Sequence, residues 1–369
     1  MCIHKKCCSV CLDKNVNSFL SYNMPAFMGV VDEYCESKIE LMIFEQCQNC
    51  KNIQIKNNIK DDILYQNNHN IGLVGSIWKE HYIEFGKFVS KVVKDKNVIE
   101  ISDPSCKIAS LSSDFKSWSI IEPNPNECEE CKNVKFIKTF LTSNYKTNVR
   151  YDILIHSHFM EHVADLHSFM DQCNKLLADD GYMCFSIPNF DYLVSSNKCP
   201  NNILHFEHTI FLNEKIIIYF LNFYGYTLIE FKKYLNHSLF FKFKKTNNKK
   251  NTLFELVDLK NIFIKNHEFH LNKIHEINNK LNEFQEVYIF GAHVNSQFYV
   301  YNGLNKLSGV LDNSPYKKNK FLYGTNYKVY SPDILINKKN VGVICSHIGT
   351  YYKEVIDGLT TKNKNLVIL

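Results

Sequence analysis

Two cysteine pairs, Cys8-Ser-Val-Cys11 and Cys47-Gln-Asn-Cys50, constrain the amino-terminal part of this chain more than any other feature. A C-x-x-C turn brings two sulfurs close enough to share one ion, with backbone N–H groups pointing at the thiolates. Two such turns complete a tetrahedral shell of four thiolates, which suits zinc. The pairs are 35 residues apart, so a small subdomain has to fill the gap. A closed four-thiolate shell leaves no open coordination position, so one zinc held by Cys8, Cys11, Cys47 and Cys50 is expected to serve folding, not catalysis. The plainer alternative is a group of reduced core cysteines, and Cys7 competes with Cys8 for its place. Seven of the fourteen cysteines fall in the first 50 residues. The start, Met1-Cys2-Ile3-His4-Lys5-Lys6, has no apolar stretch of the kind that directs secretion. The thiols are therefore expected to be reduced and the location cytoplasmic.

From residue 60 the pattern changes. A linker and helix cover roughly 60–95, with an amphipathic stretch at Tyr82–Val93. Val98–Ile101, Trp118–Glu122, Tyr151–His156 and Gly181–Ile187 read as strands, and Leu166–Leu177 as a helix. Strands alternating with helices imply parallel β-α-β units and a doubly wound α/β sheet. Residues 242–251, Lys-Phe-Lys-Lys-Thr-Asn-Asn-Lys-Lys-Asn, read as a solvated linker or hairpin tip. A helical pattern follows over about 253–284. Strands are expected at Val287–His293, which ends in a glycine turn, at Leu307–Leu311 and at Val341–Cys345. The expected division is 1–60, 61–245 and 246–369, the last a second, smaller α/β unit.

Composition closes off other classes. Of the 43 basic residues the only arginine is Arg150, and the net charge is only +5. Nucleic-acid recognition by bidentate guanidinium forks is therefore not expected. No apolar run of the length a membrane span needs occurs, so no membrane partner is expected either.

Ligands of open α/β sheets bind beyond the carboxyl ends of the strands. Three sequence features fall there. The first is Glu100-Ile101-Ser102-Asp103-Pro104-Ser105, and the second Glu122-Pro123-Asn124-Pro125. The third is His156-Ser157-His158-Phe159-Met160-Glu161-His162. A carboxylate after the second strand can accept both hydroxyls of a ribose, which suits Glu122. Glu100, Ser102, Asp103, Ser105, Glu122, Asn124, Ser157 and His158 form the expected cofactor-binding set. The first turn contains no glycine. Glycine permits positive φ and close backbone approach, and Pro104 removes an N–H donor. Cys128-Glu-Glu-Cys131 has no matching second pair and reads as exposed reduced thiols. His267, His270 and His275 have mixed helical spacing and read as solvated or packing residues.

Several longer runs carry a family resemblance: Glu161-His162-Val163-Ala164-Asp165, Leu176-Leu-Ala-Asp-Asp-Gly181, Ile187-Pro188-Asn189, Phe290-Gly291-Ala292-His293 and Leu311-Asp312-Asn313-Ser314-Pro315. Lys320, Gly324-Thr325 and Tyr330-Ser331-Pro332 continue the last series. With the four cysteines, the chain resembles class I S-adenosylmethionine-dependent methyltransferases. In detail it is similar to sugar C-methyltransferases with an N-terminal zinc-binding domain and a C-terminal Rossmann-like domain. The resemblance implies a Rossmann-like methyltransferase core, S-adenosylmethionine as cofactor and a sugar acceptor, nucleotide-linked in form. It also implies catalytic roles for His162, Glu207 and His208. The family's Tyr-His-Glu-His run is His205-Phe206-Glu207-His208 here, without the tyrosine. Losing it weakens C-methylation relative to O- or N-methylation. Tyr65 stands as a candidate for the family's N-terminal substrate tyrosine. A silent member that binds a sugar nucleotide or a protein as a scaffold is the alternative. A dehydrogenase is disfavoured, since Gly-x-Gly-x-x-Gly is absent.

Overall fold

The computed structural model describes residues 2–33, 38–60, 64, 76–126, 132–142, 144–195, 205–246, 248–249, 257–345 and 352–369. Tyr65, Cys128 and Cys131 lie outside the described residues.

The centre is a seven-stranded sheet. Its strands in chain order are β1 (Asn97–Ile101), β2 (Ser117–Ile121), β3 (Lys135–Ile137), β4 (Tyr151–Ser157), β5 (Leu177–Pro188), β6 (Tyr226–Tyr234) and β7 (Ser238–Lys245). Across the sheet the order is β6-β7-β5-β4-β1-β2-β3. The run from β3 to β5 is parallel, while β7 is antiparallel to both β5 and β6. Both faces are covered, as parallel sheets require. Ile153 and Ile155 point to one face with Val98, Trp118 and Phe240. They meet Phe85, Phe88 and Val89 of helix α1 (Ser76–Val93) there. Leu154, Met183 and Phe185 point to the other face. That face is covered by helix α2 (Leu166–Leu176), through Phe169 and Met170, and helix α3 (Glu214–Phe223), through Ile217 and Phe220.

Over Lys242–Lys245, strand β7 corrects the reading of 242–251 as solvated, while Thr246, Asn248 and Lys249 are exposed and 247, 250 and 251 lie outside the described residues. Lys242 and Lys245 are buried within the sheet. Lys242 Nζ donates to Glu230 Oε2 at 2.7 Å and lies 4.6 Å from the centre of the Phe88 ring. Lys245 Nζ donates to the carbonyls of Asn174 and Leu177. Lysine stems pack as apolar chains while their ammonium ends find acceptors, so a basic run can alternate as a strand.

A four-stranded antiparallel sheet forms the amino-terminal unit, in the order Ile210–Phe211, Ile53–Ile55, Ile39–Cys47, Val16–Pro25. Its outer strand comes from well past residue 60, so the unit is not continuous in sequence. Tyr22, Met24 and Phe44 of this sheet share a core with Phe263, Ile274, Val287 and Phe298 of the carboxyl-terminal part. That part is a five-stranded parallel sheet, ordered Val329–Tyr330, Gly309–Leu311, Glu286–Phe290, Val341–Ile344, Val367–Ile368. Helix α4 (Lys260–Asn278) packs between the two sheets. Here His267 stacks on Tyr22 at 4.9 Å, His270 is buried and His275 is exposed. These histidines pack or face solvent and form no ligand set.

Gly181 sits where β5 passes β4. A Cβ there would lie 2.8 Å from the Asp152 carbonyl oxygen and 2.9 Å from that of Ala178. Neither backbone atom can move aside without disturbing the sheet. Gly181→Ala is expected to destabilise the protein by about 1–3 kcal/mol, read as a lower urea midpoint with an unchanged slope.

Candidate functional site

The two C-x-x-C turns are built alike. Leu12 N–H donates to the Cys8 carbonyl and Lys51 N–H to the Cys47 carbonyl. Leu12 and Lys51, each four residues after the first cysteine of its pair, both have φ of 60°. The four sulfurs lie within 4.8 Å of one another, with Cys8–Cys50 and Cys11–Cys47 separations of 3.5 Å. Zinc–sulfur bonds of about 2.3 Å in a tetrahedron need sulfurs about 3.8 Å apart, so the cluster fits that ion. It packs against Phe169, Ile210 and Leu212 on the edge of the central core.

The expected cofactor residues lie at the carboxyl ends of β1, β2 and β4. Glu100 is buried inside the sheet, where Trp118 Nε1 donates to its Oε2 at 2.9 Å. Burial pushes its carboxyl well above the ordinary range, with the Asp103 charge adding to the effect. Glu100 thus props the turn from below. The turn itself solves the missing-glycine problem with side chains. Ser102 and Cys106 adopt positive φ, 62° and 45°, at a cost of about 1–3 kcal/mol each for a residue with a Cβ. Asp103 holds the loop closed: Oδ1 accepts from Ser105 N–H at 3.0 Å and Oδ2 from Ile108 N–H at 3.3 Å. Burial raises the Asp103 carboxyl, and these N–H groups oppose the shift. Asn126 ties the outer side, its side chain donating to Ser105 Oγ and its N–H to the Pro104 carbonyl.

Glu122 stands at the end of β2, and Asn124 N–H donates to its Oε1 at 2.9 Å. A carboxylate has about four lone-pair sites, so capacity remains for hydroxyl donors. Burial raises this carboxyl, with the Asn124 N–H opposing.

After β4 the chain enters a short 3-10 turn, Met160–His162. The return segment before Ile210–Phe211 is fastened to it: Thr209 N–H donates to the Glu161 carbonyl at 2.8 Å and Thr209 Oγ1 to the Val163 carbonyl at 2.9 Å. This fastening brings His162, Glu207 and His208 together. His162 Nδ1 lies 4.0 Å from Glu207 Oε2, and the His162 and His208 rings meet edge to face at 4.7 Å. His205 lies 4.2 Å from His208, ring centre to ring centre. Glu161, fully buried, faces the same group. Burial pushes its carboxyl up to about 7, with His208 opposing.

Ser157 and His158 take a different direction from Glu122. His158 Nε2 and Ser238 Oγ are 2.8 Å apart, and Ser157 Oγ lies 2.8 Å from Ser186 Oγ and 3.1 Å from His81 Nε2. Their polar contacts are thus on the β5–β7 side. His81, Glu161, His237 and Ser238 were not legible as site residues. Glu161 lies in a run singled out above without a role of its own, while His81 and the pair His237-Ser238 are far apart in sequence and only the strand order brings them together.

An open α/β sheet with a closed turn after its first strand and a carboxylate after its second defines a nucleotide-cofactor type of protein. A family model described as a methyltransferase domain matches residues 79–269, just over half of the chain. The chain belongs to this methyltransferase domain family. No curated protein matches it. Three solved structures illustrate the likeness. An S-adenosylmethionine dependent methyltransferase from Mesorhizobium loti is 8% identical, covering 47% of this chain and 100% of its own, with a TM-score of 0.35. The Burkholderia thailandensis 1,6-didemethyltoxoflavin-N1-methyltransferase, bound to its substrate and S-adenosylhomocysteine, is 10% identical over 54% and 97%, with a TM-score of 0.34. A glycopeptide N-methyltransferase complexed with S-adenosylhomocysteine is 10% identical over 51% and 99%, with a TM-score of 0.36. Likeness at this level carries no argument about substrate. Among the described residues, no helix is long and apolar enough to cross a membrane.

Asp103→Ala removes the acceptor for two backbone N–H groups of the strained turn. A loss of about 1–3 kcal/mol is expected, measured by chemical unfolding. Ser105→Ala, which keeps its backbone N–H, is expected to change stability by less than half as much.

Proposed function

We propose that this protein transfers a methyl group from S-adenosylmethionine to a sugar, nucleotide-linked in form, with transfer to carbon favoured and transfer to oxygen or nitrogen as the variant. The observation that supports it best is the group of buried Glu161, Glu207 and His208 with partly exposed His162 beside the end of β4. The sugar itself rests on the resemblance of the runs around Glu207-His208 and Gly291–Pro315 to the sugar C-methyltransferases.

In this reading Glu122 receives the ribose hydroxyls. The turn Ser102–Ser105, with Asp103 closing it and Glu100 beneath, lines the place of the methionine part, and Asn124 flanks Glu122. Ser157 and His158, expected from the sequence to join them, turn instead toward Ser186 and Ser238 and are not assigned to this place. When bound, S-adenosylmethionine supplies an electrophilic methyl group on a sulfonium. His208 takes a proton from the acceptor, next to its carbonyl in the carbon case, and His162 and Glu207 hold the imidazole in position and share the charge it gains. The buried setting of the group keeps water away from the basic nitrogen. Cys8, Cys11, Cys47 and Cys50 would hold a structural zinc that fastens the amino-terminal sheet to the core. The glycine-free turn, with its two strained residues, favours a second reading, a scaffold that binds a sugar nucleotide without turnover.

Two variants separate the roles. Glu122→Ala is expected to weaken S-adenosylhomocysteine binding about tenfold or more, for the loss of charge-assisted hydrogen bonds to two hydroxyls. His208→Ala is expected to lower methyl transfer to a nucleotide-linked keto sugar about a hundredfold with S-adenosylhomocysteine affinity unchanged. Equal losses of affinity and rate in His208→Ala would make it a shaping residue. The zinc assignment is checked by metal analysis of Cys47→Ser, expected to lose one thiolate-bound equivalent and to melt earlier than the parent.

A further inference from the structure

Three imidazoles from three separate elements meet beside the ends of β4 and β5. They are His81 from α1, His158 from just after β4 and His237 from just before β7. One nitrogen of each lies within 4.8 Å of the others. Their common centre is marked by the Ser238 hydroxyl, which is 3.2 Å from His81 Nδ1, 2.8 Å from His158 Nε2 and 2.6 Å from His237 Nδ1. His81 is fully buried, whereas His158 and His237 are partly open to solvent, so an ion has a way in.

Two of the second ring nitrogens, those of His158 and His81, are backed in the manner of metal ligands. His158 Nδ1 lies 3.4 Å from Glu161 Oε1, and His81 Nε2 lies 3.1 Å from Ser157 Oγ. A carboxylate or hydroxyl behind an imidazole fixes the proton on that side and turns the lone pair of the opposite nitrogen inward. In this arrangement the lone pairs of His81 and His158 both face the centre. A hydroxyl carries one proton, so Ser238 can satisfy only one of them. A cation at the centre satisfies all three rings at once. Glu161 supplies an independent reason. It is fully buried, and its Oε2, turned away from His158, has no hydrogen-bond partner. An uncompensated buried carboxylate is costly, and a positive ion behind His158 offsets it.

We propose that His81, His158 and His237 form a second metal site, for a divalent transition ion of the zinc type, with Glu161 orienting His158 from behind. A shift of less than about 1 Å per ring brings three nitrogens to the usual 2.0–2.1 Å from one ion. The fourth position is left to the Ser238 hydroxyl or a water. The site is distinct from the four-thiolate cluster. It shares Glu161 with the His162–His208 group, so the charge of the ion would be felt by the proposed base. Its existence does not depend on which acceptor is methylated.

The test is titration of the full-length protein with cobalt(II) after mild chelation, followed by visible absorption and metal analysis. Two equivalents are expected. One shows thiolate charge-transfer bands, and the other only the d–d bands of a nitrogen-rich tetrahedral site. His81→Ala and His237→Asn should each abolish the second equivalent and keep the first. Glu161→Gln should weaken it about 10- to 100-fold. Retention of the thiolate-bound cobalt reports that each variant is folded. If the buried change at His81 prevents folding, the partly exposed His237 decides. Binding of a single equivalent, or a second equivalent that survives both histidine changes, would overturn the proposal.

Discussion

Thr209 is the point on which the parts of this molecule depend. Its N–H and hydroxyl donate to the carbonyls of Glu161 and Val163, and its own carbonyl accepts from Ile55 N–H at 3.0 Å and from Lys5 Nζ at 2.9 Å. One residue thus joins the turn after β4, the return segment of the core and the amino-terminal sheet. The register it sets places Ile210 and Phe211 as the outer strand of that sheet. The same register carries Glu207 and His208 onto His162. The acceptor-side group and the seam between two units therefore rest on one set of hydrogen bonds.

The turn after β1 is closed without glycine. Positive φ at Ser102 and Cys106 is unfavourable, and the loop retains it because other contacts leave no alternative. Ser102 N–H is bound by the Ile121 carbonyl, Asp103 grips two N–H groups, and Glu100 is anchored to Trp118 beneath. The loop shape is thus set by these hydrogen bonds and by the disulfide in which Cys106 takes part, where a glycine loop would rely on conformational freedom. That disulfide corrects the expectation of reduced thiols at this position.

The sheet of the core was legible because its strands are apolar, short and separated by helices with clear periodicity. Val98–Ile101 and Tyr151–His156 are examples. The meeting of the four cysteines was legible because two C-x-x-C turns are built to share one site. Strand β7 was hidden by its lysines, whose charges are met inside the fold by Glu230 and by backbone carbonyls. The convergence of His162 with Glu207 and His208 was expected from resemblance, and the structure supplies its cause in Thr209. The triad of His81, His158 and His237 was not legible. Its members are 77 and 79 residues apart in sequence, and no local pattern marks residues that meet only across β5 and β7.

The central claim is that this glycine-free, side-chain-braced turn, together with Glu122, still forms a working cofactor site. Calorimetric titration of the full-length protein with S-adenosylhomocysteine tests it most directly. Saturable binding with one site per chain and a dissociation constant in the micromolar range is expected. An absence of binding at millimolar ligand, in protein shown to be folded, would contradict it.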